Sequence, residues 1–118
     1  MPHCIIEITE NLLSEVDTDK LINNASNAIH SLNCFNADDI KVRIIPVKYS
    51  FLGIKKQVHA FAAAEIMIFD NKSQEQLNEL SDKVQKVLTD NIHFQKGKLS
   101  LTTRISYLNE YYKRYKNF

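Results

Sequence analysis

The sequence predicts an α/β fold, in the α+β sense, in which two consecutive β-α-β units form one sheet with two helices on one face. Two observations support this. The order strand, helix, strand occurs twice, and the two halves of the chain have similar spacing. A helix between two strands is typical of a parallel pair joined by a right-handed crossover. With 118 residues the chain can bury one core, so we expect residues 1–118 to form a single domain.

The first unit is predicted to span approximately residues 1–49. A short β-rich segment from His3 to Ile8 comes first, and Asp17 or Thr18 is a suitable N-cap for the helix that follows. Apolar residues at helical spacing give this helix one apolar face. They are Leu21, Ile22, Ala25, Ala28, Ile29 and Leu32.

A polar connection from Asn33 to Asp39 leads to the second predicted strand, Ile40 to Tyr49. Successive side chains of a strand point to opposite faces, and this segment alternates in character. One face carries Ile40, Val42 and Ile44, and the other carries Lys41 and Arg43. The next residues, Ser50 to Val58, are predicted to form a loop or hairpin tip.

The second unit is predicted to span approximately residues 59–108. It begins with a strand from His59 to Phe69 and ends with a strand from Lys98 to Leu108. Between them, Ser73 and Gln76 match the S-x-x-Q capping box that starts a helix. The apolar positions of that helix are Leu77, Leu80, Val84, Val87, Leu88 and Ile92.

The composition is that of an ordinary globular protein, with 44% hydrophobic and 25% charged residues. A formal net charge of +1 selects no oppositely charged partner. No apolar run approaches a membrane span and no export signal is evident, so we expect no membrane partner. Cys4 and Cys34 are expected to be reduced thiols in a cytoplasmic protein. The four histidines show no metal-ligand spacing and are expected to be structural.

The chain begins Met1-Pro2, and this start is the first indication of chemistry. Proline is small enough for removal of Met1 to be expected, which would leave Pro2 as a free secondary amine. An ordinary α-amino group has a pKa of about 7.7–8.0, and nearby cations lower it. General acid–base catalysis needs a base of this kind. If Met1 is retained, Pro2 is an amide and cannot act as a base.

Several segments together resemble the 5-carboxymethyl-2-hydroxymuconate isomerase family, a branch of the tautomerase superfamily with an N-terminal catalytic proline. The resemblance covers nearly the whole chain in register. The matching segments are Pro2-His3-x-Ile5-Ile6-Glu7, Ile40-Lys41-Val42-Arg43-Ile44-Ile45-Pro46-Val47, Ala60-Phe61 and Lys72-Ser73.

The resemblance implies a tautomerase fold that assembles as a homotrimer, and an isomerase of aromatic compound catabolism that needs no cofactor. Pro2 would be the base and then the acid in a proton transfer on a carboxylate-bearing enol or dienol. Lys41, with Arg43, would hold a substrate carboxylate and lower the pKa of Pro2. Lys72 would hold a second anionic group.

The sequence departs from the family at the carboxylate-binding positions. Two family arginines are replaced by Lys41 and Lys72. Lysine keeps the charge but lacks the planar fork that holds a carboxylate by two parallel hydrogen bonds. The family's glycine-rich turn is Phe69-Asp70-Asn71-Lys72 here, and Asp70 adds a negative charge. The alternative function is therefore a catalytically inactive trimer that serves as a binding or assembly module.

The sheet face away from the helices is expected to be apolar and to be covered by self-association. Glu65 lies in an otherwise apolar strand and is expected to be a paired carboxylate or an interface residue. The apolar strand residues that one helical layer would leave uncovered are Ile5, Ile66, Ile68 and Leu99.

The C-terminal segment, Asn109 to Phe118, mixes basic and aromatic residues. We expect a short helix that docks on a neighbouring subunit, as the family's C-terminal segment does. Binding of single-stranded nucleic acid is the less favoured alternative for such a mixture. The expected docking face consists of Leu108, Tyr111, Tyr112 and Tyr115.

Overall fold

The computed structural model describes residues 2–118 and contains four strands and three α-helices over that range. In chain order the elements are β1 (His3–Thr9), α1 (Glu10–Leu13), α2 (Thr18–His30), β2 (Lys41–Val47), β3 (His59–Ile68), α3 (Gln74–Asn91) and β4 (Lys98–Tyr107). The one-turn helix α1 was not predicted from the sequence. None of these helices is long and apolar enough to cross a membrane.

The four strands form one sheet in the order β2-β1-β3-β4. The pairs β1–β2 and β3–β4 are parallel, and the central pair β1–β3 is antiparallel. Each parallel pair is joined through a long helix, α2 in the first unit and α3 in the second. The two predicted β-α-β units are therefore confirmed.

Both long helices pack on the same face of the sheet and begin at caps that the sequence predicts. The Asp17 side chain accepts a hydrogen bond from the Lys20 N–H at 3.1 Å. Ser73 and Gln76 form the complete capping box. The core under the helices includes Ile6, Ile8, Leu21, Ala25, Ile29, Ala62, Ala64, Ile66, Leu80, Val84 and Leu88.

The sheet face away from the helices, called the open face below, is mixed rather than apolar. Ile66 and Ile68 are buried on the helix side, because period-two alternation places them with Ala62 and Ala64. Leu99 also packs against the core, since its register partner is the buried Ala60. The expectation was thus wrong for these three residues and right for Ile5. The open face carries Ile5, Glu7, Arg43, Ile45, Phe61, Ala63, Glu65, Met67, Thr102 and Arg104.

Glu65 is a paired carboxylate on the open face, which matches one of its two predicted roles. Arg104 donates to Glu65 Oε2 at 2.8 Å, and the Ser106 hydroxyl donates to the same oxygen at 2.9 Å. These three residues lie on the neighbouring strands β3 and β4.

Candidate active site

The strand directions bring distant parts of the chain to one end of the sheet, called the Pro2 end below. Strands β1 and β2 begin there, because they are parallel and paired in register. Strand β3 ends there because it is antiparallel to β1, and β4 ends with it. The start of the chain, the turn before α3 and the C-terminal segment therefore meet at this end.

Pro2 immediately precedes β1 and its side chain is fully buried. Its carbonyl oxygen accepts a hydrogen bond from the Lys41 N–H at 3.0 Å, which ties the starts of β1 and β2 together. The predicted removal of Met1 concerns a residue outside the described range.

The two predicted cations of β2 lie beside this start, on the open face. Lys41 is the register partner of His3, and Arg43 is the register partner of Ile5. Both side chains are exposed. The Arg43 guanidinium donates to His3 Nδ1 at 3.3 Å. The structure therefore brings Lys41 and Arg43 to the residue that follows Pro2.

Lys72 is placed differently from the other predicted site residues. It lies in the turn between β3 and α3, so it leaves the sheet at the Pro2 end. Its ammonium group sits over the Phe35 ring, 5.1 Å from the ring centroid. This cation–π contact holds a half-buried lysine against the edge of the core.

His3 is a site residue that the sequence analysis missed. Its Nε2 lies 2.8 Å from the Tyr112 hydroxyl oxygen, and the two rings meet edge to face at 5.8 Å. Burial lowers the pKa of His3, and the charges of Lys41 and Arg43 lower it further. His3 is therefore held in its neutral form beside Pro2. Two features of the sequence could have identified His3 as a site residue. It directly follows Pro2, and it is an odd-numbered position of β1, as Lys41 is of β2.

The C-terminal segment crosses the Pro2 end and packs on its own chain. The Leu108 N–H donates to the Ile68 carbonyl at 2.8 Å, and the Tyr112 ring meets Phe69 edge to face at 5.7 Å. Residues 109–118 contain no helix. The predicted helix is thus wrong, because tyrosine and basic side chains anchor this segment one by one to β1, β3 and the turn before β2. Docking of the segment on a neighbouring subunit stays a prediction.

Asp39 is the last anchor of this segment. It accepts hydrogen bonds from Arg114 at 3.2 Å and from Lys116 at 2.9 Å. The bond from Lys116 is the largest cause that lowers the pKa of Asp39 to about 2, and the bond from Arg114 adds to it. One carboxylate thus faces two cations, and Lys41 lies two residues away. The two cations therefore exceed the single charge of the carboxylate that they contact.

Within residues 2–118, no cluster of three or more histidine, cysteine or acidic side chains is placed to hold a metal ion. Burial raises the pKa of the Cys4 thiol to about 12, so this cysteine is not a thiolate at neutral pH.

The sheet topology, with a buried proline at the start of β1 and cations beside it, is that of the tautomerase fold. The chain belongs to the 5-carboxymethyl-2-hydroxymuconate isomerase family, whose model matches residues 2–117. The family resemblance seen in the sequence is thereby confirmed, and so is the isomerase class.

Solved structures share the fold over nearly the whole chain. A 5-carboxymethyl-2-hydroxymuconate isomerase from Deinococcus radiodurans R1 is 26% identical with a TM-score of 0.85, covering 99% of this chain and 90% of that chain. A 5-carboxymethyl-2-hydroxymuconate delta-isomerase is 15% identical with a TM-score of 0.84, covering 99% and 89%. A fused 4-OT symmetric trimer is 7% identical with a TM-score of 0.61, covering 88% and 85%. No curated protein matches the sequence.

The anchor at Asp39 predicts a specific titration. Its carboxyl has a pKa of about 2 rather than 3.8, so the pairing stabilises the docked segment above pH 3.8 and is lost as the pH falls through about 2. Replacing both Arg114 and Lys116 by alanine should raise the midpoint towards 3.8, measured by carboxyl ¹³C NMR. Lys113→Ala, an exposed neighbour, is the matched control and should leave the midpoint unchanged. An unchanged midpoint in the double variant would contradict the anchor.

Proposed function

We propose that this isomerase transfers a proton within a carboxylate-bearing enol or dienol, and that Pro2, freed by removal of Met1, is the base and then the acid. The observation that carries the proposal is the register of β1 and β2. It sets Lys41 opposite His3, next to the only proline at the Pro2 end. We also propose a cytoplasmic location, which suits the free thiols of Cys4 and Cys34.

The chemistry needs only one amine. The Pro2 nitrogen takes a proton from the enol oxygen or from a carbon of the substrate, and becomes a secondary ammonium. It then gives that proton to another carbon of the same molecule, so the amine is regenerated and no co-reactant is consumed. An amine with a pKa near the working pH can do both steps efficiently.

The cations at the Pro2 end have two roles in this proposal. Lys41, with Arg43, holds a substrate carboxylate and disfavours the charged form of the Pro2 amine, which lowers its pKa. Lys72 holds a second anionic group from the turn before α3. It can do so from its own chain or from across a subunit boundary, because its side chain lies at the edge of the sheet end.

We further propose that the chain forms a homotrimer through the open face. This face combines apolar side chains such as Ile5 and Phe61 with the Glu65–Arg104 pair. It also holds a recess of about 560 Å³ lined by Ile5, Ile45 and Glu65. A mixed surface of this kind is typical of an interface between subunits.

Light scattering at micromolar concentration should therefore report three chains per particle. Ile45 is 42% exposed on the open face. Ile45→Lys should shift the assembly towards monomer, because it would bury an unpaired charge at the interface. Thr89→Lys, an exposed position of α3, is the matched control. A monomeric wild-type protein would remove the proposed interface.

Pro2→Ala tests the proposed base. Alanine leaves a primary amine that is more mobile, so ketonisation of phenylpyruvate or a 2-hydroxymuconate-type enol should fall by about 10²-fold. Mass spectrometry first establishes that Met1 is absent from the assayed protein. Pro46→Ala, at the other proline of the sequence and exposed in β2, should leave turnover unchanged. Full activity in Pro2→Ala, or in a protein extended before Pro2, would exclude the mechanism.

The pH profile tests the role of Lys41. Without this cation the pKa of the Pro2 amine should rise, so the acidic limb of kcat/KM should move to higher pH in Lys41→Ala. The KM for a dicarboxylate should also rise, because binding charge is lost. Lys41→Arg keeps the charge and adds a planar group that can form two parallel hydrogen bonds. It should therefore leave the acidic limb at its wild-type pH and tighten binding of the dicarboxylate. If the acidic limb of kcat/KM lies at the same pH in the wild type, Lys41→Ala and Lys41→Arg, then Lys41 does not act on Pro2.

A further inference from the structure

We propose that Ser50 and His59 form a second catalytic site, in which Ser50 is the nucleophile and His59 is its general base, and that this site hydrolyses small uncharged carboxylic esters. The pair lies at the end of the sheet opposite Pro2, because β1 and β2 end there and β3 begins there. The inference goes beyond the proposed function and does not depend on Pro2, since the two sites share no residue.

The hydrogen bonds of His59 orient it as a base towards Ser50. His59 Nδ1 lies 2.8 Å from the Gln57 carbonyl oxygen, and a carbonyl can only accept, so Nδ1 carries the N–H. In a neutral histidine Nε2 is then an acceptor. It lies 2.9 Å from the Ser50 oxygen, so the Ser50 hydroxyl donates to it. A nucleophile bonded to a base that a third group orients is the general arrangement for nucleophilic catalysis.

The Gln57 carbonyl, which orients His59, belongs to a loop that is itself held in place. The Gln57 side chain donates a hydrogen bond to the Leu52 carbonyl, which ties the two ends of the loop between β2 and β3 together. The carbonyl of the next residue, Val58, accepts from the Lys98 N–H at 3.2 Å and joins this loop to the start of β4. The loop backbone therefore fixes which nitrogen of His59 faces Ser50.

The ring and the backbone of His59 are anchored to neighbouring residues. The ring stacks on Phe61, with 6.3 Å between the ring centroids and an interplanar angle of 17°. The His59 carbonyl accepts a hydrogen bond from the side-chain amide of Asn11, in α1, at 2.8 Å. A base held in this way stays within hydrogen-bond reach of its proton donor, which general base catalysis requires.

Ser50 and His59 both line a cavity of about 320 Å³. This volume is at the lower end of the range for ligand sites, so it suits a small substrate. The charged side chains of the lining are Glu10 and Lys48, one of each sign, which favours an uncharged ester. Asn11 and Lys48 supply N–H groups at this cavity for the carbonyl oxygen that becomes negative during the reaction.

The proposed reaction consumes water and no other co-reactant. His59 Nε2 takes the proton of the Ser50 hydroxyl while the Ser50 oxygen forms a bond to the carbonyl carbon of the ester. The bond from this carbon to the alcohol oxygen breaks, and the alcohol leaves with the proton from His59. Water then attacks the acyl-serine. His59 takes a proton from that water and returns it to the Ser50 oxygen as the carboxylic acid leaves.

Hydrolysis of 4-nitrophenyl acetate tests this site. The wild type should release a burst of 4-nitrophenol and then turn over steadily, and peptide mass spectrometry should find an acetyl group on Ser50. Amines of the protein also react with this ester, but they form stable amides and do not turn over. Ser50→Ala should abolish turnover. His59→Gln should slow it by about 10²-fold, because the general base is lost.

The matched controls are Ser81→Ala and His93→Gln, which should leave turnover unchanged. The Ser81 hydroxyl donates to the Asn78 carbonyl at 3.1 Å instead of to a histidine, and His93 is exposed. Equal melting temperatures of the variants would exclude a loss of turnover by unfolding.

A second measurement needs only the wild-type protein, so it applies even if a variant is poorly folded. A fluorophosphonate probe reacts with an activated serine: the Ser50 oxygen bonds to phosphorus, fluoride leaves, and His59 takes the hydroxyl proton. Mass spectrometry should find the phosphonyl group on Ser50 and not on Ser81. A serine with only a structural role would react no faster than Ser81.

The outcomes are separate from those for Pro2. A folded wild type with neither acetyl nor phosphonyl on Ser50 would overturn the second site, and so would equal ester turnover in Ser50→Ala and Ser81→Ala. Ester turnover that is lost in Ser50→Ala at an unchanged melting temperature, together with acetyl on Ser50, supports the site. Enol ketonisation, whether present or absent, bears only on the proposed function of Pro2.

Discussion

The hydrogen bond from the Lys41 N–H to the Pro2 carbonyl sets the register on which the site depends. It pairs His3 with Lys41 and leaves both side chains on the open face. A slip of one residue would turn Lys41 and Arg43 towards the helices, because side chains alternate with a period of two. The buried face of the same strands, with Cys4 and Ile6 fully enclosed, opposes such a slip. The packing of the core therefore also fixes the side of the sheet on which the cations lie.

At the Pro2 end, positively charged side chains outnumber the carboxylate that they contact. The C-terminal segment brings Arg114 and Lys116 to Asp39, whose single carboxylate neutralises only one of them. Lys41 and Arg43 add two further cations on β2. His3 joins this group without adding charge, since burial and the neighbouring cations lower its pKa. The result is a group of cations around a neutral hydrogen-bonding residue, opposed by the negative charge of Asp70 in the turn before α3.

The sequence predicted the fold well, because its signals are local. Caps such as Asp17 and Ser73, and the alternation in β2, depend on residues at most four apart. The assignment of Ile66 and Ile68 to the open face failed, because the run Ala62-Ala63-Ala64 before them is apolar on both faces and gave no hint of which face is buried. The contact between His3 and Tyr112 could not be predicted, since the strand order and the path of residues 109–118 decide it.

The replacement of family arginines by Lys41 and Lys72, which the family resemblance implies, would alter geometry more than charge. A lysine is a point charge on a flexible stem, and holding it in one place costs side-chain entropy. The Lys72 ammonium is steadied by the Phe35 ring, and the Lys41 ammonium donates to the Asp39 carbonyl at 3.4 Å. The guanidinium groups at this end are Arg43, bonded to His3, and Arg114, bonded to Asp39. Directional hydrogen bonding at the Pro2 end thus comes from groups that β1 and the C-terminal segment hold in place, while the lysines supply charge. The C-terminal segment thus adds oriented hydrogen-bonding groups to the Pro2 end, which β1 and β2 alone would not supply.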